Sequence, residues 1–286
     1  MNSDSCFVQG HSHSVCEDYV ISNERVNGDI VGDPFVVLCD GCSSSPNTDI
    51  GARLLAIAAM QSLDILDGQN APTLLFCHAV YEKTHSYCRS MSISEDCLLS
   101  TLIVVKYIEE SRVRGFNVIM FGDGAIATQR KTGSRIDVET FEYTSGAPYY
   151  LNYHFNEKKK QQYYDNFGLS ILQNVYHLNP GQDTAVHYVK DRLINRPPDV
   201  PFIWCRFYSL DDISMIAVMS DGIKSFIDLS KGVRSNYDIV HVLSSILFFR
   251  ATNGVFVKRR MKKGLKKMEK EKKIHEDDIS IGVIVR

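Results

Sequence analysis

VVLCDGCSSSPNTDIGARLLA, residues 36–56, changes character twice. It opens on an apolar, β-branched run over 35–39 that reads as a buried strand. Asp40-Gly41 stops that run, and a Ser-rich loop containing Pro46 follows. From Ile50 onward, Leu54, Leu55, Ala58, Ala59, Leu63 and Leu66 recur at helical spacing, so a helix is predicted over 50–66 with Asn47, Thr48 or Asp49 as its cap. A carboxylate therefore stands where a buried strand gives way to a helix. Working outward, the same placement returns. Residues 117–121 are apolar and end in Gly122-Asp123-Gly124; residues 215–219 end in Ser220-Asp221-Gly222. Glu17-Asp18 precede the strand-like Tyr19-Val20-Ile21, and Asp277-Asp278 precede a strand over 279–285. Residues 101–107 form another β-branched run. Two more helices are predicted over 72–91 and 237–249. They alternate with hairpin-like strand pairs, which predicts an α+β fold rather than a doubly wound one.

The 286 residues carry 32 Lys and Arg against 34 Asp and Glu, a net charge of −2, with 44% hydrophobic residues. That apolar content buries a core and excludes a disordered chain. The apolar runs fall short of the roughly 20 residues a membrane-spanning helix needs. The N-terminal residues lack a basic and then apolar leader. The expectation is a cytoplasmic protein without a membrane partner, its cysteines kept as reduced thiols. Cys39 and Cys42 have no second pair at zinc spacing.

The whole of 1–286 is read as a single domain with two distinctive segments. Residues 144–167 are polar and Tyr-rich and read as a surface excursion, with Tyr149, Tyr150, Tyr153, Tyr163 and Tyr164 as packing or lid residues. Residues 258–273 hold ten Lys and Arg against Glu269 and Glu271, which leaves the rest of the chain near −10. Val255, Met261, Leu265 and Met268 can form one face of a solvated amphipathic helix. The alternative is a patch for nucleic acid or an acidic partner; the lack of interleaved aromatics argues against nucleic acid.

Strand ends of opposite sense meet on one rim if the strands run antiparallel, so five acid-bearing corners could converge. An Asp-Gly pair after a strand is also a common turn, and no single one implies a site. Gathered together, the acids would raise one another's pKa, and no Lys or Arg lies within these motifs to pair with them. Bound cations are the natural compensation, and an all-oxygen donor set selects Mg²⁺ or Mn²⁺ over zinc. Gly41, without a side chain, leaves its carbonyl open to close approach.

Taken in order, these motifs resemble the metal-dependent protein phosphatases of the 2C type, their bacterial branch in particular. The opening motif is Gly10-His11-Ser12-His13-Ser14-Val15-Cys16-Glu17-Asp18. Residues 36–56, Ser100-Thr101, Gly122-Asp123-Gly124, Ser220-Asp221-Gly222 and Asp277-Asp278-Ile279-Ser280 follow, and FVKRRMKKGLKK (256–267) also looks like that branch. The resemblance runs from residue 10 to residue 286. It implies two packed antiparallel β-sheets flanked by helices, a four-layer αββα sandwich with two Mn²⁺ or Mg²⁺ ions at one end. It also implies that a hydroxide bridging the ions hydrolyses phosphoserine and phosphothreonine in a phosphoprotein substrate. By position, Asp40 would bridge both metals, and Asp221 and Asp277 would complete the first. Glu17 and the Gly41 carbonyl would serve the second, Asp18 would hold ligand waters, and Asp123 would help bind a third, weaker ion.

Three positions depart from the pattern. His13 stands where many members carry a phosphate-binding Arg, so a single donor replaces a fork. Cys42 stands where some have a proposed general-acid His, which passes leaving-group protonation to His11, His13 or a metal-bound water. Gly124 replaces the usual Ser. These departures keep two alternatives open: a phosphatase-like binding and signalling module, or a small-molecule phosphohydrolase on the same fold.

Overall fold

The segment Ile279–Val285 is buried at every position because it lies between two apolar layers. Ile284 enters the core between two sheets, whereas Ile281, Val283 and Val285 enter a second core beneath helices. The same two-residue alternation sends Ile216 and Val218 to the first core and Ala217 and Met219 to the second. The computed structural model describes every residue except 28, 68–72, 111–112, 181–185, 189–193, 196–203, 231 and 233.

In chain order the strands are β1 (Asn2–Val8), β2 (Asp18–Ser22), β3 (Arg25–Val26), β4 (Asp29–Ile30), β5 (Phe35–Gly41), β6 (Ser100–Glu110), β7 (Val113–Phe121), β8 (Gly124–Arg130) and β9 (Ile136–Tyr143). They continue with β10 (Ser170–Leu178), β11 (Val186–Tyr188), β12 (Ile194–Asn195), β13 (Trp204–Ser209), β14 (Ile213–Met219), β15 (Phe226–Asp228), β16 (Ser235–Asn236), β17 (Lys273–His275) and β18 (Ile279–Val285). The helices are α1 (Thr48–Met60), α2 (Thr73–Met91), α3 (Leu151–His154), α4 (Glu157–Phe167), α5 (Ile239–Leu247) and α6 (Phe256–Lys270).

An eight-stranded sheet runs β1-β18-β14-β8-β9-β10-β11, with β12 also on β10, and a five-stranded sheet runs β13-β7-β6-β5-β2. Every pairing in both sheets is antiparallel among the described residues. The sheets pack face to face through β18 and β1 against β5 and β2. Helix α1 covers the smaller sheet and α2 packs on α1; α5 and α6 cover the larger sheet. The fold is thus the expected α+β arrangement of two antiparallel sheets between helical layers. Among the described residues, no helix is long and apolar enough to cross a membrane.

Several expectations need correction. The 144–167 segment is more ordered than a polar excursion suggests, with Tyr163 alone buried in its longer helix. It folds into α3 and α4, and Tyr149, Tyr150 and Tyr163 are buried. Their rings pack on one another, Tyr149 at 5.0 Å from Tyr163 and 5.9 Å from Tyr153. Tyrosine's large apolar body outweighs its single hydroxyl, so a Tyr-rich run can be core while reading as polar. The edge strands β1 and β13, and the interior strands β9 and β10, gave no strong apolar run and were not anticipated. In α6 the buried face is Phe256, Val257, Met261, Gly264 and Met268, while Val255 is exposed at the cap. Asn47 is the α1 cap, but it sits in the left-handed region (φ 56°) and its side chain makes no capping bond.

Candidate metal centre

Strand period decides where the first acid points. Val36, Leu38 and Asp40 share one face of β5, and Asp18 lies directly opposite Asp40 across the β2–β5 ladder. Asp18 is fully buried. Its carboxylate accepts a hydrogen bond from Ser220 Oγ at 2.8 Å, and Ser220 Oγ in turn accepts from the Ser280 N–H at 2.9 Å. That chain of bonds ties the smaller sheet to the ends of β14 and β18. Burial pushes the Asp18 carboxyl up to about 7. Asp40 is half-buried. Burial raises its pKa well above the usual range, and the charges of Asp18, Asp221, Asp123 and Asp277 raise it further. Asp123, just before β8, is likewise pushed up to about 7 by burial and by Asp221. Asp277 is raised by burial and again by Asp221. The antiparallel sandwich therefore brings Asp18, Asp40, Asp123, Asp221 and Asp277 to one rim, where Asp40 feels the charge of the other four.

The Ser100-Thr101 pair at the start of β6 positions two of these acids. Ser100 Oγ donates to the Asp40 carbonyl at 2.8 Å, and Thr101 Oγ1 donates to Asp123 at 3.3 Å. One cation does stand close. Lys224 lowers the Asp123 pKa against the larger upward causes, while its ammonium pairs with Glu142 at 2.8 Å.

Glu17 forms a second corner. Its carboxylate accepts from Ser43 Oγ at 2.6 Å and Thr48 Oγ1 at 3.0 Å, and its carbonyl accepts from the Gly41 N–H at 3.2 Å. Gly41 is demanded by packing as well as by chemistry, since a Cβ there would sit 2.9 Å from Thr48 Cβ. Gly222 is under the same pressure, its Cβ position lying 1.7 Å from the Asp278 carbonyl oxygen.

His13 and His11 part company. His13 Nδ1 lies 3.0 Å from Asp278 and Nε2 lies 3.4 Å from Asp277. Burial alone would lower the His13 pKa, but Asp278, Asp277 and Glu17 outweigh it and favour the imidazolium. His13 thus stands with both ring nitrogens toward carboxylates. His11 leans away, its ring on the His275 carbonyl at 3.1 Å and edge-on to the His275 ring at 5.4 Å.

Sequence reasoning gave Asp278 no role and read Tyr150 only as a packing or lid residue. Asp278 is buried and accepts from the Gly10 N–H at 2.7 Å and the Glu17 N–H at 2.5 Å. Burial pushes its pKa up, but those two N–H groups and His13 overcome it and hold the carboxyl low. The doubled Asp277-Asp278 was its one signal. Tyr150 is buried with its hydroxyl near Cys42, Asp123 and Asp40, and burial raises its pKa far above the ordinary value. Nothing in the linear order joins it to those residues.

The donor set suits a hard divalent ion, being all oxygen and carrying more negative charge than its cations offset. Among the described residues, no three of these side chains close into a finished coordination shell. The acids are neighbours on one rim. All eight thiols are free.

The two-sheet, helix-flanked architecture is that of known phosphatases. A bacterial serine phosphatase superposes with a TM-score of 0.55 at 10% identity, covering 100% of this chain and 97% of that one. Serine/threonine phosphatase Stp1 from Staphylococcus aureus superposes with a TM-score of 0.55 at 9% identity, covering 100% and 94%. These likenesses bear on the fold. No curated protein matches the sequence. The model of the protein phosphatase 2C family matches residues 9–268. The chain belongs to that family and is a protein-serine/threonine phosphatase by class.

Proposed function

We propose that this chain hydrolyses phosphoserine and phosphothreonine in phosphoproteins with the help of two Mn²⁺ or Mg²⁺ ions. The observation that carries the reading is the gathering of Asp18, Asp40, Asp123, Asp221 and Asp277 at neighbouring strand ends, where burial and then the charges of the other four raise the Asp40 pKa, a charge accumulation that divalent cations relieve. Asp40, Asp221 and Asp277 would hold one ion, Glu17 and the Gly41 carbonyl the other, and Asp123 a weaker third. When bound, such ions supply positive charge for phosphoryl oxygens and lower the pKa of water toward neutrality.

The chain's own groups do the rest. Asp18, fixed by Ser220, would hold waters beside the ions. Tyr150 closes the side toward Cys42 and excludes water there. His13 fixes the 10–17 loop against Asp278 and Asp277 as a positioning residue. On this reading 1–286 is one catalytic domain of a cytoplasmic signalling protein. Free thiols throughout suit a reducing compartment.

The test is p-nitrophenyl phosphate turnover during a Mn²⁺ titration with a chelator control. Asp40→Asn and Asp221→Asn should each abolish metal-dependent turnover and leave the circular dichroism unchanged; undiminished turnover in either rejects the assignment. A second reading is favoured by one observation: both His13 nitrogens face carboxylates, so neither is free for phosphate. That suits a binding module, and metal uptake by calorimetry without turnover of any phosphopeptide would select it.

A further inference from the structure

Between α5, α6 and the β8–β9 turn, on the outer face of the larger sheet, lies a cavity of about 690 Å³. It reaches β8 at Gln129. Asp123 precedes the other end of that strand, about 20 Å away. This is a place apart from the acidic rim.

The walls carry Arg250, Arg260, Lys263 and Lys267, and among the described residues no carboxylate. Helix α6 holds eight Lys and Arg, and none of them makes an ion pair among the described residues. Arg260 is the informative one. Its Nη2 donates to the Ser244 carbonyl at 3.1 Å, which fixes the guanidinium against α5. Its Nε is buried and lacks a hydrogen-bond partner among the described residues. Burial and the Arg250 charge both press its pKa down. A buried cationic donor held beside a second cation is unfavourable until an anion arrives. Guanidinium groups take phosphate oxygens in a planar fork, and the two lysines add point charges beside it.

The opposite walls are aromatic. Phe248 and Phe249 are half-buried, and Tyr237 borders the same space. Flat rings lining a cationic cavity can accept a planar group by stacking. The volume falls within the roughly 300–1,000 Å³ of small-ligand pockets. An extended polyanion fits worse. The chain outside 258–273 carries a net charge near −10, which repels a nucleic acid or an anionic membrane beyond the patch. A compact anion escapes that penalty.

We propose that this cavity binds a nucleotide, its phosphates on Arg250, Arg260, Lys263 and Lys267 and its base against Phe248, Phe249 and Tyr237. The proposal stands independently of the phosphatase reading. The test is calorimetric titration of the full chain with ADP in EDTA. Saturable binding is expected, weakened about tenfold or more by Lys263→Glu and by Lys267→Glu, both exposed and remote from the core. Arg260→Lys should weaken it too, since it keeps the charge and loses the fork. Asp40→Asn should bind ADP as the parent does, and the melting temperatures of the lysine variants should be unchanged. No saturable ADP binding, or equal affinity in Lys263→Glu, overturns the proposal. Binding lost in Asp40→Asn would place the phosphates on the acidic rim. Pyrophosphate bound as tightly as ADP would remove the role of the aromatic wall. A phosphoserine peptide that displaces ADP with higher affinity would assign the cavity to a protein partner instead.

Discussion

Asp18 and Asp278 are both buried carboxylates, and their protons behave in opposite ways. Asp18 accepts from hydroxyls among like charges and is pushed up to about 7. Asp278 accepts from two backbone N–H groups and faces the His13 imidazole, and it stays ionised despite burial. Asp278 is therefore a structural anion, the anchor of the loop that carries Glu17 and Asp18. Asp278→Ala should cost about 3 kcal/mol, since it strips a buried charge from its donors. Urea denaturation would measure it, and a loss under about 1 kcal/mol would reject the anchoring role. The acids at strand ends were legible in the sequence because an apolar run stopping at Asp-Gly is a local signal. Asp278 and Tyr150 were not, because their importance comes from partners far away in sequence: Gly10 for the one, Asp40 and Cys42 for the other.

Helix α6 shows what an element can borrow from its neighbours. Val255 stands at its N-cap and offers no side-chain acceptor. The acceptor comes instead from Asp4 on β1, which takes the Val257 N–H at 2.6 Å. The cap thus spans almost the whole sequence. Asp4→Ala should destabilise the fold by about 1–2 kcal/mol, the cost of a lost cap. Asp4→Asn should cost less, because it keeps an acceptor while shedding a charge that burial disfavours. Thermal melts of the two variants check the order, and equal losses would contradict it. The central strands were readable from their unbroken apolar runs. Strands β9 and β10 were not, since sequences such as IDVETFEY alternate polar with apolar residues and bury one face alone. The helices α3 and α4 were hidden for a related reason, although their neighbouring tyrosines were read as packing or lid residues: composition reports polarity, and packing decides burial.

For the molecule as a whole, sheet order was beyond reach of local patterns, and the resemblance supplied only the two-sheet, helix-flanked plan. The antiparallel frame then does the assembling, since strands of opposite sense bring residues 18, 40, 123, 221 and 277 to one rim. A frame that gathers so much like charge should gain stability from cations. Mn²⁺ at about a hundredfold its dissociation constant should add about 2.7 kcal/mol to the unfolding free energy. The gain should vanish in Asp40→Asn. Denaturant melts with and without chelator would show it, and an equal gain in the variant would place the ion elsewhere.

Strand β18 pairs with β1 on one side and β14 on the other. A nascent chain on the ribosome that has made residues 1–278 still lacks the piece that joins its first strand to the rest of the larger sheet. The rim acids carried by β2 and β5 cannot be locked against Asp277 and Asp278 until that late arrival slots in. A variant lacking residues 279–285 should therefore be an open sandwich exposed to proteases.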